Sequence, residues 1–316
     1  MKKILVTGAL GQIGSELVRE LRERYGADRV VASDIRMLPG GRQDGPFEFV
    51  DCTKLDQIRG AVQAHSVGTI YHLAALLSAV GEEKPQVAWA VNMGGTYKVL
   101  EVARQSGCAV FFPSSIAAFG PSTPSTGTPQ ETVQRPTTMY GVTKVSGELL
   151  CDYYHQRFGV DTRGVRFPGL ISHVALPGGG TTDYAVEIFY EAVRHGRYTC
   201  KLSESTRLDM MYMPDALKAT IEVMEADPGR LDHRNSFNVT AMNFTPAELA
   251  ESIRAHVPNF EIQYDVDGEL QKIADSWPDS IDDSAARSEW DWAPDYDLPA
   301  MAEHMLTQLE RKLRRP

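Results

Sequence analysis

Apolar residues in the first 170 positions follow two alternating rhythms. Short, nearly unbroken runs at residues 3–6, 29–33, 47–50, 69–73, 109–113 and 161–167 have the length of buried strands. Between them the spacing becomes helical. Leu17, Val18 and Leu21 recur on one face of residues 15–25, and residues 55–64, 87–104 and 140–158 also read as helices. Strict alternation of strand and helix predicts an α/β fold with a doubly wound parallel sheet, whose ligands bind beyond the carboxyl ends of the strands. Residues 120–136 form a loop rich in Pro, Ser and Thr. After Pro168 the alternation fails. Gly178, Gly179 and Gly180 read as a flexible loop, residues 184–195 as a helix, and residues 246–316 as a mixture of helices and short strands.

The charge balance narrows the partners. The chain of 316 residues carries a formal net charge of -10 and holds no long basic run. The nearest cluster, Arg311, Lys312, Arg314 and Arg315, reads as a solvated helix end whose charges suit the helix dipole, so no nucleic-acid partner is expected. Cys52, Cys108, Cys151 and Cys200 are scattered, without a Cys-x-x-Cys pair, and are expected as reduced packing thiols with no metal site. The run Ile4-Leu5-Val6 after Met1-Lys2-Lys3 is too short for a signal-peptide core. No stretch reaches the ~20 apolar residues of a membrane span. The expectation is a soluble, cytoplasmic protein.

The chemistry-bearing residues sit just after the strand runs. Gly8-Ala9-Leu10-Gly11-Gln12-Ile13-Gly14 follows the first strand and opens the first helix. Glycines there permit a tight turn and close approach of backbone to a pyrophosphate, which the helix N-terminus then attracts. Asp34 ends strand two, twenty residues beyond Gly14, where a carboxylate accepts both ribose hydroxyls of adenosine and repels a 2′-phosphate; this favours NAD over NADP. Arg36, two residues on, can accommodate such a phosphate. Asp51 ends strand three, either near the adenine amino group or as a helix N-cap, with Cys52 beside it. Leu73, Ala74 and Ala75 end strand four and let the chain pass close to the cofactor; His72 reads as a packed structural residue.

Tyr140-Gly141-Val142-Thr143-Lys144 places a phenol and an ammonium four apart on one helix face. An ordinary tyrosine, pKa about 10, is a poor base at neutral pH, and a neighbouring lysine is expected to lower that value. Tyrosinate then removes an alcohol proton while hydride leaves for a nicotinamide, and the lysine also holds the nicotinamide ribose. Ser115, at the end of strand five, would orient the substrate oxygen, with Ser114 structural.

Together these residues resemble the extended short-chain dehydrogenase/reductase family. Asn92 matches its helix-four asparagine, Phe167-Pro168-Gly169 with Leu170 its nicotinamide-side stretch, and residues 207–213 its return segment. Residues 281–287 with Trp292 and Pro294 are similar to its C-terminal signature. The resemblance implies a Rossmann domain over residues 1–170, returning at about 208–243, and a smaller C-terminal substrate-binding lobe over 171–207 and 244–316. It also implies a homodimer packed through the helices at 87–104 and 140–158, with Leu149, Leu150, Tyr153 and Tyr154 offering apolar contact. Three stretches (74–79, 177–184 and 274–278) resemble the branch that oxidises L-threonine at C3 with NAD. On that resemblance Ser78, Thr181 and Thr182 would supply hydroxyls to the substrate. Asp183 would pair with its ammonium or cap the following helix, and Trp277 would close the pocket or sit in the core. Rival readings are a nucleotide-sugar epimerase or dehydratase and a non-catalytic NAD sensor. Against a nucleotide sugar stand Phe119, where many sugar-modifying relatives carry tyrosine, and the scarcity of diphosphate grips beyond Arg207. Against a dehydratase stands the lack of an acid among Ile116, Ala117 and Ala118.

Overall fold

Strands that must be buried on both faces come from runs with no polar side to show, and the first strands obey this: all five residues of β2 (Val30–Asp34) are buried. A computed structural model describes residues 2–37, 44–175 and 180–313. Gly178 and Gly179 of the expected loop, and Arg314 and Arg315 of the terminal basic cluster, lie outside the described residues.

The chain runs β1 (Lys3–Thr7), α1 (Gln12–Tyr25), β2, β3 (Phe47–Phe49), α2 (Leu55–His65) and β4 (Val67–His72). Then come α3 (Ser78–Glu83), α4 (Pro85–Ala88), a π turn (Trp89–Met93), α5 (Gly94–Ser106), β5 (Ala109–Ser115), α6 (Met139–Phe158), β6 (Thr162–Phe167) and β7 (Gly169–Ile171). The remainder is α7 (Tyr184–His195), β8 (Arg197–Cys200), β9 (Leu208–Tyr212), α8 (Met213–Glu225), β10 (Phe237–Asn238), β11 (Met242–Phe244), α9 (Pro246–Arg254), β12 (Glu261–Tyr264), α10 (Gly268–Ala274), α11 (Ser284–Trp290) and α12 (Leu298–Leu313).

Seven strands form the main sheet in the order β10-β6-β5-β4-β1-β2-β3, every neighbour parallel. The order reverses direction at β1 and β4, which opens a crevice between their carboxyl ends. One apolar core, with Leu17, Leu21, Ala216 and Trp292, packs α1, α8 and α11 on one face; a second, with Ile58, Val99, Leu100 and Cys151, packs α2, α5 and α6 on the other. A third, around Phe189, Tyr212, Leu249 and Met305, joins α7, α9 and α12 to the three-stranded sheet β11-β9-β7. No helix among the described residues is long and apolar enough to cross a membrane. All four cysteines are buried and free.

Two expectations need correction. The helix read over 87–104 starts earlier, at Pro85, whose fixed φ suits a first helical position. It also widens into the π turn at 89–93, and α3 precedes it as a separate piece. The basic end of α12 is not merely solvated: the Lys312 ammonium donates to the carbonyls of His173 (3.1 Å) and Val174 (2.9 Å) and to the Tyr190 hydroxyl (2.9 Å).

Candidate active site

The crevice at the switch point deepens into a cleft of about 240 Å³ bounded by the glycine turn after β1, the ends of β4 and β5, the first turns of α6, and residues 180–183. A wider depression of about 840 Å³ on the lobe, between α7 and β8, is lined by charged surface residues such as Glu191 and Arg197 and contains none of the chemistry.

The floor of the cleft is backbone. Gly8 adopts φ +68°, a left-handed conformation costly for a side chain, and a methyl on it would lie 2.7 Å from the Ala74 amide nitrogen. A methyl on Gly14 would lie 2.2 Å from the Gly8 carbonyl oxygen. The turn, the start of α1 and the end of β4 therefore pack backbone on backbone. No side chain caps the N-terminus of α1, so its orphan N–H groups and positive dipole end face the cleft. A bare cradle of this kind fits a dinucleotide pyrophosphate.

Asp34, at the end of β2, is buried. It accepts from the Leu10 N–H (3.0 Å) and, through both oxygens, from the Arg36 guanidinium (3.0 and 3.2 Å). Burial alone would raise its pKa, but the Arg36 bond and the backbone N–H donors of Leu10 and Arg36 outweigh it and hold the carboxyl below the usual range. Arg36 thus pairs with Asp34 rather than standing open for a phosphate. Asp51 is not an N-cap: α2 starts four residues later, and the carboxylate instead accepts from the Thr53 N–H (2.8 Å) and hydroxyl (2.7 Å).

Tyr140 and Lys144 reach the cleft from one face of α6. That helix is started by the Thr138 side chain, which accepts from the Gly141 N–H at 3.1 Å. Lys144 is 5% exposed; its ammonium donates to the Pro113 carbonyl at 2.6 Å and lies 5.2 Å from the Tyr140 ring centroid. Burial drives its pKa down to about 8, partly opposed by Glu148. Tyr140 corrects an expectation. Burial pushes its pKa up to about 12 and only the Ser115 hydrogen bond lowers it, so in the protein alone the lysine does not bring the phenol down. The Ser115 hydroxyl accepts from the Ala117 N–H at 3.2 Å, which fixes it beside the phenol. Ser114 donates to the buried Glu148 carboxylate, a structural role as expected. His72 is buried too, its Nδ1 bonded to the Thr7 hydroxyl at 2.8 Å.

Most of the expected site converges here. Gly8, Gly11, Gln12, Ile13, Gly14, Leu73, Ala75, Ser78, Ser115, Tyr140, Lys144, Leu170, Thr181, Thr182, Asp183 and Trp277 all line the cleft. Others do not. The Cys52 side chain packs in the core beside Gly95, and Ala74 lies beneath Gly8. The Asn92 amide accepts from the Leu76 N–H (2.8 Å) and donates to the Leu76 carbonyl and the Thr143 hydroxyl (both 3.1 Å), tying the π turn to the β4 loop and α6. Asp183 sits at the N-cap of α7 but makes no side-chain cap; its carboxylate turns back to the Gly180 N–H at 2.6 Å. Trp277 is half-buried, packed between the cleft and a small cluster of Ile116, Phe119 and Ile281. Arg207 lies outside the cleft, paired with Glu248 at 2.6 Å. Leu77 and Pro113 line the cleft unforeseen. The Pro113 carbonyl holds Lys144, and no side-chain signal marks such a role in a sequence.

A parallel sheet wound on both faces, a side-chain-free phosphate cradle at its switch point and a tyrosine–lysine pair beside it define a dinucleotide-binding protein of the Rossmann class. The chain belongs to the NAD dependent epimerase/dehydratase family, whose model matches residues 4–240, and NAD is the cofactor that the family implies. An uncharacterized epimerase/dehydratase of Staphylococcus aureus is 55% identical over 314 residues, covering 99% of this chain and 98% of the relative. Among solved structures, an L-threonine dehydrogenase from Clostridium difficile is 56% identical with TM-score 0.97, covering 99% of this chain and 98% of that one. The holo form of a GalE-like L-threonine dehydrogenase from Cupriavidus necator is 53% identical with TM-score 0.94, covering 97% and 99%.

Proposed function

We propose that this protein is an NAD-dependent L-threonine 3-dehydrogenase, converting L-threonine to L-2-amino-3-oxobutyrate. The observation that carries the reading is the convergence of Ser115, Tyr140 and Lys144 with Ser78, Thr181, Thr182, Asp183 and Trp277 around one small cleft beside the glycine turn. The likeness to structures of L-threonine dehydrogenases supports it.

Each residue then has a physical task. The α1 N-terminus holds the pyrophosphate, and Asp34 accepts from the adenosine ribose hydroxyls and selects NAD. Bound NAD+ would supply the acceptor for the hydride that leaves C3 of the substrate. Tyr140 Oη removes the proton of the C3 hydroxyl, and Ser115 Oγ orients that hydroxyl against it. Lys144 opposes the phenolate charge across the short span seen on α6 and donates to the nicotinamide ribose. The hydroxyls of Ser78, Thr181 and Thr182 face the substrate carboxylate, and Asp183 balances its ammonium. Trp277 closes the outer wall and keeps water out.

We infer also that residues 1–170 with 208–243 form the cofactor domain and the remainder the substrate lobe. A homodimer packs through α5 and α6, where Tyr97, Val142, Leu149 and Tyr153 are exposed apolar side chains, while Tyr154 faces the protein's own core. The deciding experiment is NADH appearance, followed by ultraviolet absorbance, with NAD+ and L-threonine, run beside L-allo-threonine, D-threonine, L-serine and NADP+. Strong NAD-selective activity on L-threonine alone is expected. Tight NAD binding without turnover would discard threonine and send the search to substrates whose conversion leaves no net NADH.

A further inference from the structure

Glu148 is the next residue on the face of α6 that carries Tyr140 and Lys144, four positions further along, and the mechanism above gives it no task. It is 3% exposed. Ser114 Oγ donates to it from the end of β5. Arg166 of β6 donates through Nε (3.1 Å) and Nη2 (2.9 Å), and Gln134 Nε2 donates from the loop before α6 (2.8 Å). A single carboxylate thus joins the two strands and the helix that hold the cleft.

A buried ion pair is a poor device for stability alone, since desolvation offsets most of its attraction. Its position suggests another use. Lys144 is buried, and its ammonium donates to one carbonyl, that of Pro113. Around it stand Phe112 of β5, Asn92 of the π turn and Thr143 of α6, all uncharged. His72 faces it from β4 and is held neutral by burial and by the lysine itself. Tyr140 is its neighbour on α6. Among the described residues, Glu148 is the anion that acts on Lys144.

We propose that Glu148 is a positioning residue of this active site: a buried anion that keeps Lys144 protonated and, through Ser114, sets Ser115 against Tyr140. This rests on Tyr140 and Lys144 being the reacting pair. Burial pulls the lysine down to about 8, and Glu148 is the influence that opposes the fall. Without that charge the ammonium is lost nearer neutrality, and with it the group that stabilises the phenolate and holds the ribose.

The test compares Glu148→Gln, Glu148→Asp and the double variant Glu148→Gln/Arg166→Gln with the unmodified protein. The double variant leaves no unpaired buried arginine, so it decides the matter if the single neutral variant fails to fold. Two pH profiles are read between about pH 6 and 10: kcat/KM for NAD+ reduction by L-threonine, and NADH affinity from nucleotide fluorescence. The alkaline limb of both should move down by roughly one to two pH units in Glu148→Gln, and by less in the double variant, which removes the Arg166 charge as well. Glu148→Asp keeps the limb in place while losing rate, because its shorter arm misplaces Ser114. Neutral variants whose limbs superimpose on the unmodified protein, however slow they are, overturn the proposal; so does an aspartate variant that shifts like the glutamine one. Should the protein not oxidise threonine at all, the substrate assignment falls, and the NADH-affinity limb still decides the role of Glu148.

Discussion

Gly14→Ala puts the phosphate cradle under a defined stress. The added methyl would lie 2.2 Å from the Gly8 carbonyl oxygen, 2.8 Å from Ala9 Cα and 3.0 Å from the Ala9 carbonyl carbon. All three are backbone atoms, so no rotamer change relieves the overlap, and the turn must retreat by about 1 Å. Gly8 has little room, because its own Cβ direction is blocked at 2.7 Å by the Ala74 nitrogen. Helix propensity favours alanine by about 1 kcal/mol, while overpacking costs about 1–3 kcal/mol, so net stability should change little or fall by up to about 2 kcal/mol. Binding should suffer more. Misaimed N–H donors to a charged phosphate forfeit about 1.5–3 kcal/mol, which is roughly ten- to a hundredfold in NADH affinity. Gly60→Ala in α2 is the control, since nothing lies within 4 Å of its added methyl. It should gain the propensity term alone, raise Tm by about 1–2 °C and leave affinity untouched. Fluorescence titration with NADH and thermal unfolding of both variants suffice. A Gly14→Ala protein that binds NADH within twofold of the original would refute the backbone-cradle argument.

Tyr140→Phe should lower kcat by about 10²–10⁴-fold with NADH affinity nearly kept; surviving turnover would place the base elsewhere. Asp34→Ala frees Arg36 and removes the hydroxyl acceptor, so the NAD-to-NADP preference in kcat/KM should fall at least tenfold (about 1.4 kcal/mol); an unchanged ratio would remove Asp34 from cofactor selection. His72 is depressed from 6.5 to about 3, by burial first and by Lys144 second. Below pH 6.5 the unfolded chain therefore takes up a proton that the folded chain refuses until about 3, and stability falls through that window by up to about 1.4 kcal/mol per pH unit. In His72→Asn the urea midpoint should drop less steeply between pH 6.5 and about 4.5, and parallel slopes would contradict the neutral buried imidazole. Leu149→Glu/Tyr153→Glu, at side chains 61% and 52% exposed, should yield a folded monomer by light scattering where the original is a dimer; a monomeric original ends the dimer proposal.

The inner strands of the main sheet were legible because they are largely buried on both faces, which leaves apolar runs that periodicity detects, whereas the edge strand β10 is two residues long and leaves none. β7 and β11 are three residues each, too short for any rhythm, so the second sheet came as a surprise. α3 and the π turn were equally hidden, because their geometry depends on Asn92 clasping the Leu76 backbone from sixteen residues away. Among site residues, those placed by local chain geometry read well. The glycine turn and the i, i+4 pair on α6 need only a strand, a turn and a helix. Asp51 and Asp183 read less well. An Asp ahead of a helix suggests a cap, yet the Asp51 carboxylate bonds to the loop N–H of Thr53 and that of Asp183 turns back to the N–H of Gly180. The acidity of Tyr140 is hidden for a further reason: spacing reports which groups are neighbours and is silent about the burial that both share.

That shared burial bears on how the cleft works under the proposed function. Tyr140 is pushed up to about 12 and Lys144 down to about 8, so the dry cleft by itself favours both groups neutral. Two buried charges of opposite sign each suffer desolvation, yet each is the remedy for the other. The ionised pair is therefore favoured only when something further offsets the cost. Glu148 and the Pro113 carbonyl supply part of this on the lysine side, and Ser115 supplies part on the phenol side. Oxidised NAD would bring the positive charge of its nicotinamide ring to the cleft, which favours phenolate, and NADH would not. On this argument Tyr140 is poised as a base only when there is an acceptor for hydride. The phenol should then titrate at lower pH with NAD+ than with NADH or with the protein alone, as ultraviolet difference spectra of the original against Tyr140→Phe would reveal. Coincident titrations in all three states would mean that Lys144 alone sets the base, and the electrostatic coupling argued here would be wrong.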